Sequence, residues 1–234
     1  MSHQSPRNVA SLTLQGLLEQ SPWYAQIDAP ARQQVLGDAS ELHVLAGHSL
    51  GHHGEIARYW HGVLEGLFKW SITSPDGREV TLGGQSAGSW FGEGTLLRAL
   101  PRQADLIALR HSRVAMIPFE TFDWLRQTQP SFNEFLLGQI NERLHWFMGS
   151  YAAYRLLDTD GQIARALCGL VHPLLNPQGQ RHLQISQEEL GNLAAVSRQR
   201  CNMALVRMKN NGLIRTEYGG IVILDLAGLQ KIAS

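Results

Sequence analysis

Apolar positions along this chain change their period several times, and each change marks a new kind of element. Leu14, Leu17 and Leu18 share one helical face, and Trp23 and Tyr24 follow them. Ser21-Pro22 and Ala29-Pro30 act as punctuation, so residues 12–36 are predicted as short helices. Residues 41–118 differ in character. Short apolar runs at 42–45, 61–72, 80–82, 104–108 and 114–117 are separated by glycine-bearing turns. Phe68, Trp70 and Ile72 alternate with Lys69 and Ser71, as one wall of a half-buried sheet would, and Pro75-Asp76-Gly77 predicts a hairpin turn. Many short strands with such turns predict a β-roll or sandwich.

After Pro130 the period becomes helical. Leu137, Ile140, Leu144, Phe147, Tyr151 and Tyr154 recur at spacings of three and four, with Glu142, Arg143 and Arg155 outside the seam. That is an a/d pattern over nearly three heptads, which predicts pairing with a second copy; the alternative is packing lengthwise on the chain's own β-region. Asp158 can cap a following helix whose apolar face is Ile163, Ala164, Leu167 and Leu170. Residues 173–180, rich in Pro, Asn and Gly, are predicted as a loop.

Residues 185–214 carry the sharpest signal. Ser186 can cap one helix, with Glu188 and Glu189 near its positive end and Leu190, Leu193 and Ala194 on its apolar face. Ser197 can cap a second, with Cys201, Leu205 and Met208 as its stripe and Asn211-Gly212 as its stop. Two short helices across a tight turn form a helix-turn-helix. Arg198, Gln199, Arg200 and Asn202 fill the first turns of the second helix, where this motif meets base edges in the DNA major groove. Arg suits guanine, and Gln or Asn suits adenine, because each pairing makes two hydrogen bonds. Apolar runs at 213–216 and 221–224 flank Glu217-Tyr218-Gly219-Gly220, predicting a hairpin wing directly behind the second helix.

Composition adds bounds. The 234 residues are 44% hydrophobic and 17% charged, suited to a globular protein of one large or two modest domains. Only the first dozen residues are candidates for disorder on composition. Formal net charge is +0, but residues 181–217 hold six Lys and Arg against three acids, a local +3 opposed by −3 elsewhere. Such a basic footprint is compatible with nucleic-acid binding. Cys168 and Cys201 have neither the count nor the spacing for a disulfide framework, zinc knuckle or iron–sulfur cluster, and both are expected to be buried reduced thiols. No apolar run approaches the roughly 20 residues that span a bilayer, and no signal peptide is evident, which predicts a cytoplasmic protein without membrane attachment.

Ser-Gln-Glu-Glu-Leu-Gly (186–191), Val-Ser-Arg-Gln (196–199), Asn-Asn-Gly-Leu-Ile (210–214) and the trailing strands together resemble the Crp/Fnr family of bacterial transcription regulators. Residues 156–164 closely resemble that family's hinge. The resemblance implies an α+β chain in three parts: a double-stranded β-helix (β-roll) effector domain over 1–130, a dimerisation helix over 131–157, and a winged helix-turn-helix domain over 158–234. It implies a homodimer on a pseudo-palindromic site in double-stranded DNA, and contact with RNA polymerase if the protein is an activator. Arg198 and Gln199 align with the family's base-reading positions, with Arg200 and Asn202 beside them. Met203 stands where cAMP-responsive members carry a further base-contacting arginine. Ser186, Gln187 and Ser197 are assigned to phosphates or caps.

Ser89-Trp90-Phe91-Gly92-Glu93 and Pro101-Arg102-Gln103-Ala104 resemble the phosphate-binding cassette of the cyclic-nucleotide-binding fold, with about one residue deleted. There a helix start and an arginine hold a phosphate, and the Glu holds a ribose hydroxyl. Gly92, Glu93 and Arg102 are present. Gln103 replaces a small hydroxyl residue, and Phe147 and Met148 align with a purine-contacting hydroxyl pair. These departures argue against cAMP and leave a small-molecule effector of unknown identity, or a roll that serves as scaffold alone. His48, His52, His53 and His61 raise the question of a metal-binding β-roll enzyme, but adjacent His52 and His53 point to opposite faces of a strand and Glu55 follows too closely. They are expected to be exposed turn residues. No nucleophile–base pair or paired carboxylate is evident, so no enzymatic activity is expected.

Overall fold

A computed structural model describes residues 12–234; the stretch expected to be disordered, apart from Leu12, lies outside that range. Three short helices open the chain: α1 (Leu14–Gln20), α2 (Pro22–Gln26) and α3 (Ala29–Asp38). Thr13 and Asp28 cap α1 and α3 through their side chains, and Pro22 starts α2, where its missing N–H costs nothing.

Eight strands and one helix follow: β1 (Ser40–Val44), β2 (Ser49–Gly51), β3 (Tyr59–Glu65), β4 (Leu67–Thr73), β5 (Glu79–Ser86), β6 (Trp90–Phe91), α4 (Glu93–Arg98), β7 (Asp105–Ala108) and β8 (Ser112–Pro118). They form two antiparallel four-stranded sheets, ordered β1-β8-β3-β6 and β2-β7-β4-β5. Val44, Val63, Phe68, Phe91, Leu106, Ala108 and Val114 fill the space between them. The run expected over 61–72 is in fact two strands in different sheets, broken where Gly66 takes a φ of 102°.

Two expectations for this region fail for physical reasons. The Phe68/Trp70/Ile72 wall breaks at a β-bulge between Trp70 and Ser71, opposite Gly83 and Thr81. The bulge shifts the pleat by one, so Ser71 turns inward and Ile72 outward. His61 is not an exposed turn residue. It lies on β3, which is covered on both faces: Trp60 joins the helical side while His61 stacks on Phe91 inside the roll at 5.4 Å. His48, His52 and His53 are exposed, as expected.

Outside the first sheet, Trp23, Trp60, Trp90, Phe122 and Phe132 build a second core with α1–α3. It is closed by α5 (Phe119–Thr128), which the sequence reading did not separate from the roll, and by the first turns of α6 (Pro130–Leu156). The six seam residues of α6 are all at least one-third exposed, from 37% at Ile140 to 66% at Tyr151.

The C-terminal part comprises α7 (Thr159–Leu170), β9 (His182–Leu183), α8 (Gln187–Leu193), α9 (Arg198–Asn210), β10 (Ile214–Glu217), β11 (Gly220–Ile223) and α10 (Leu226–Ile232). Asp158 caps α7, and Ile163, Ala164, Leu167 and Leu170 are buried as predicted. The wing pairs Ile214 with Ile223 and turns at Tyr218-Gly219; β9 adds a third strand to it. This core takes in Leu67 of the roll, so the two parts pack directly on each other.

Candidate nucleic-acid interface and effector pocket

The helix-turn-helix is built from its caps. Ser186 accepts a hydrogen bond from the Glu189 N–H, and the Glu189 carboxylate accepts one from the Ser186 N–H, a complete capping box. Ser197 accepts from the Arg200 N–H at the start of α9. Cys201, Ala204, Leu205 and Met208 then form the buried ridge of α9, which turns Arg198, Gln199, Arg200 and Asn202 to solvent. Burial pushes both cysteine thiols up to about 11, so they are protonated and inert.

The polar residues of this face are not equally free. Gln187 Nε2 donates to Asn202 Oδ1 at 3.1 Å, bracing the two helices across the turn. Arg207 is committed to Asp160 of α7 through Nε and Nη2 and is held above its usual pKa by that carboxylate. Arg198, Gln199 and Arg200 have no such side-chain partner among the described residues, and Tyr218 stands fully exposed at the wing tip. Ser186 and Ser197 use their hydroxyl oxygens as acceptors and keep an O–H for donation.

The cassette residues separate. Gly92, with a φ of 102°, starts α4 and places Glu93 almost out of solvent, at 2% exposure. Trp60 Nε1 donates to Glu93 Oε2 at 3.4 Å, and Arg143 Nη1 of α6 lies 3.4 Å from Oε1. Arg143 also lies over the Trp70 ring at 5.1 Å and donates to the Trp90 carbonyl. Gly92, Glu93, Trp70 and Arg143 bound a cavity of about 280 Å3, with Gln103, Arg98 and Ile140 on its other walls.

Arg102 does not line that cavity. Its buried guanidinium lies over Gly51, where a Cβ would come within 2.6 Å of Nε, and beside His61. Burial lowers the Arg102 pKa, with Glu55 opposing the shift, and burial together with Arg102 depresses His61 to about 3. Phe147 borders a different cavity, between roll, α6 and α7, and Met148 is exposed. The basic group that meets Glu93 is thus Arg143, and Arg98 is the other arginine on the same cavity. Sequence reasoning noted Arg143 only as a residue outside the seam, which was the available signal: a charge on the flank of an apolar helix. No group of three or more His, Cys, Asp or Glu gathers into a metal-binding cluster among the described residues. No helix among them is long and apolar enough to cross a membrane.

Residues 41–129 match the cyclic nucleotide-binding domain, and residues 161–232 match the Crp-like helix-turn-helix domain. The chain is 26% identical over 191 residues to the CRP-like cAMP-activated global transcriptional regulator of Mycobacterium tuberculosis, covering 80% of this chain and 85% of that protein. It is 25% identical over 179 residues to the cAMP-activated global transcriptional regulator CRP of Haemophilus influenzae, covering 75% and 80%. In fold it is similar to FixK2 from Bradyrhizobium japonicum, with a TM-score of 0.72 at 13% identity over 84% of this chain and 98% of that one. It is also similar to the c-di-GMP responsive global regulator CLP of Xanthomonas campestris, with a TM-score of 0.62 at 23% identity over 84% and 99%. A roll that matches the cyclic nucleotide-binding domain and a helix-turn-helix that matches the Crp-like one, in that order on one chain with these relatives, place it: the protein belongs to the Crp/Fnr family of transcription regulators.

Proposed function

We propose that the protein acts as a cytoplasmic homodimer, paired along the exposed seam of α6, whose two α9 helices enter successive major grooves of a pseudo-palindromic operator. Its working division is a roll over 1–130, a dimerisation helix over 131–157 and a DNA-binding domain over 158–234. The observation that carries this reading is the face of α9. Its buried ridge fixes the helix's rotation, and Arg198, Gln199, Arg200 and Asn202 are left exposed at its N-terminal end. Ser186, Gln187 and Ser197 sit beside them at helix starts suited to phosphate oxygens. As an activator the protein would also contact RNA polymerase. It performs no catalysis.

A small-molecule effector would enter the cavity beside Glu93 and bias one of two arrangements of α6 and α7. Gln103 and the absence of a hydroxyl pair at Phe147 and Met148 favour a ligand other than cAMP. The contact between Arg143 and Glu93 supports a second reading, in which the protein's own arginine holds α6 to the roll and abundance alone sets activity.

Selection of bound sequences from random duplex DNA, without and with added cyclic nucleotides, tests both. A palindrome recovered equally under both conditions favours the effector-independent reading, and one recovered only with nucleotide favours gating. Arg198→Ala should then lower specific affinity by about 1–3 kcal/mol. Unchanged sequence preference in that variant would refute the assignment of α9.

A further inference from the structure

Two apolar side chains stand in the middle of the solvent-facing side of α9: Met203 is 51% exposed and Val206 is 50% exposed. With about 100° of rotation per residue, the ridge of Cys201, Ala204, Leu205 and Met208 defines the inward line. Gln199, Met203 and Val206 all fall within roughly 30° of the opposite line, whereas Arg198 and Arg200 lie about 90–110° from it. The geometric front of the helix is therefore Gln199 followed by the apolar Met203 and Val206, with Asn210 at its far end, and Arg198 and Arg200 are its flanks.

Aliphatic surface at that position gains nothing in water and meets mostly polar base edges in a major groove. The methyl group that a base pair presents there is the C5-methyl of thymine. We infer that Met203 and Val206 are specificity-determining residues that read thymine C5-methyl groups in the operator half-site, an inference that rests on α9 being the base-reading helix. Residues three apart on a helix are separated by about 4.5 Å along its axis, a little more than the 3.4 Å step between base pairs. The two side chains accordingly address thymines at neighbouring or next-neighbouring pairs. Unbranched Met203 can follow its methyl across small shifts, whereas β-branched Val206 is stiff at χ1 and holds one position.

The full-length protein provides the test. Once an operator has been selected, each thymine is replaced singly by uracil, which removes the methyl and leaves the Watson–Crick edge and O4 intact. Wild-type affinity should fall about fourfold at one or two positions per half-site, the effect of burying one methyl group. Met203→Gln should abolish that loss at one position and Val206→Ala at another; both side chains are half-exposed, so the fold should survive either change. Uracil that leaves Kd unchanged at every position, or variants that retain the full uracil penalty, would overturn the inference. Gln199→Ala separates it from the underlying reading. If that variant alters the selected sequence while uracil is silent, only the methyl assignment fails. If Gln199→Ala, Met203→Gln and Val206→Ala all select the wild-type sequence, α9 is not the reading helix and both fall.

Discussion

Arg110, on the turn between β7 and β8, grips both carboxylate oxygens of Glu189, at 3.2 and 3.1 Å from Nη2. Glu189 is the residue that closes the capping box of α8, so one carboxylate both starts the helix-turn-helix and ties it to the roll. Both side chains are about one-fifth to one-quarter exposed, which limits screening without a full desolvation penalty. Arg110→Ala and Glu189→Gln should therefore be non-additive, with a coupling energy of about 1 kcal/mol in a double-mutant cycle read by denaturant unfolding. Glu189→Gln keeps a side-chain acceptor for the Ser186 N–H and should be the milder single change. Additive effects would show that roll and helix-turn-helix are not held together by this pair in solution.

A second tie between the two parts is buried and neutral. Asn176 Oδ1 accepts from the Ser86 N–H at 2.8 Å and from Ser86 Oγ at 3.1 Å, while its Nδ2 donates to the Gly169 carbonyl at 2.7 Å. Asn176→Ala strands a buried backbone donor and should cost about 2–3 kcal/mol. The same change should loosen the DNA-binding domain from the roll, making the hinge near Leu157 more susceptible to limited proteolysis. An unchanged digestion rate would mean that apolar contacts such as Leu67 with the second core suffice alone.

What could be read from sequence follows from how local the signals are. The caps at Ser186 and Ser197, the Cys201, Leu205 and Met208 stripe of α9 and the hairpin wing are fixed by residues a few positions apart and were legible, whereas the reciprocal bond from the Ser186 N–H to Glu189 and the place of Ala204 in the ridge show only in the structure. The bulge at Trp70 and Ser71 was invisible because it depends on register against β5, and a one-residue slip exchanges faces. β2 and β9 are too short to show a period and exist through their partner strands. α10 did carry a local signal, Asp225 accepting from the Gly228 N–H, which went unread. In the pocket, the helix start at Gly92 and Glu93 was legible, but the direction of Arg102 was not. Whether a long side chain faces a cavity or the bare backbone of Gly51, far away in sequence, is decided only in three dimensions.

The α6 seam gives a prediction about assembly. Leu144 is 55% exposed on one chain, so Leu144→Glu should leave the fold of each copy intact. In a symmetric pair it would bring two like charges to an apolar interface, where an unpaired charge costs several kcal/mol. Sedimentation should show the wild type as a dimer and the variant as a monomer with an unchanged circular dichroism spectrum, and specific operator binding should fall with the dimer. A variant that remains dimeric would place the interface elsewhere.

The buried His61 predicts an acid-sensitive roll. Its pKa is depressed from 6.5 to about 3, first by burial and then by the nearby Arg102 charge, and its Nδ1 has no hydrogen-bond partner among the described residues. Below pH 6.5 the unfolded chain takes up a proton at this site that the folded chain refuses, so stability falls as pH drops from about 6.5 towards 3 and is unaffected above that window. At pH 5 the loss is about 2 kcal/mol, from 1.5 pH units at about 1.4 kcal/mol each. His61→Phe preserves the stack on Phe91 and removes the proton site, so its Tm should change less than that of the wild type between pH 7 and pH 5. Parallel curves for the two proteins would mean that other groups set the acid sensitivity and that His61 can take up a proton without opening the roll.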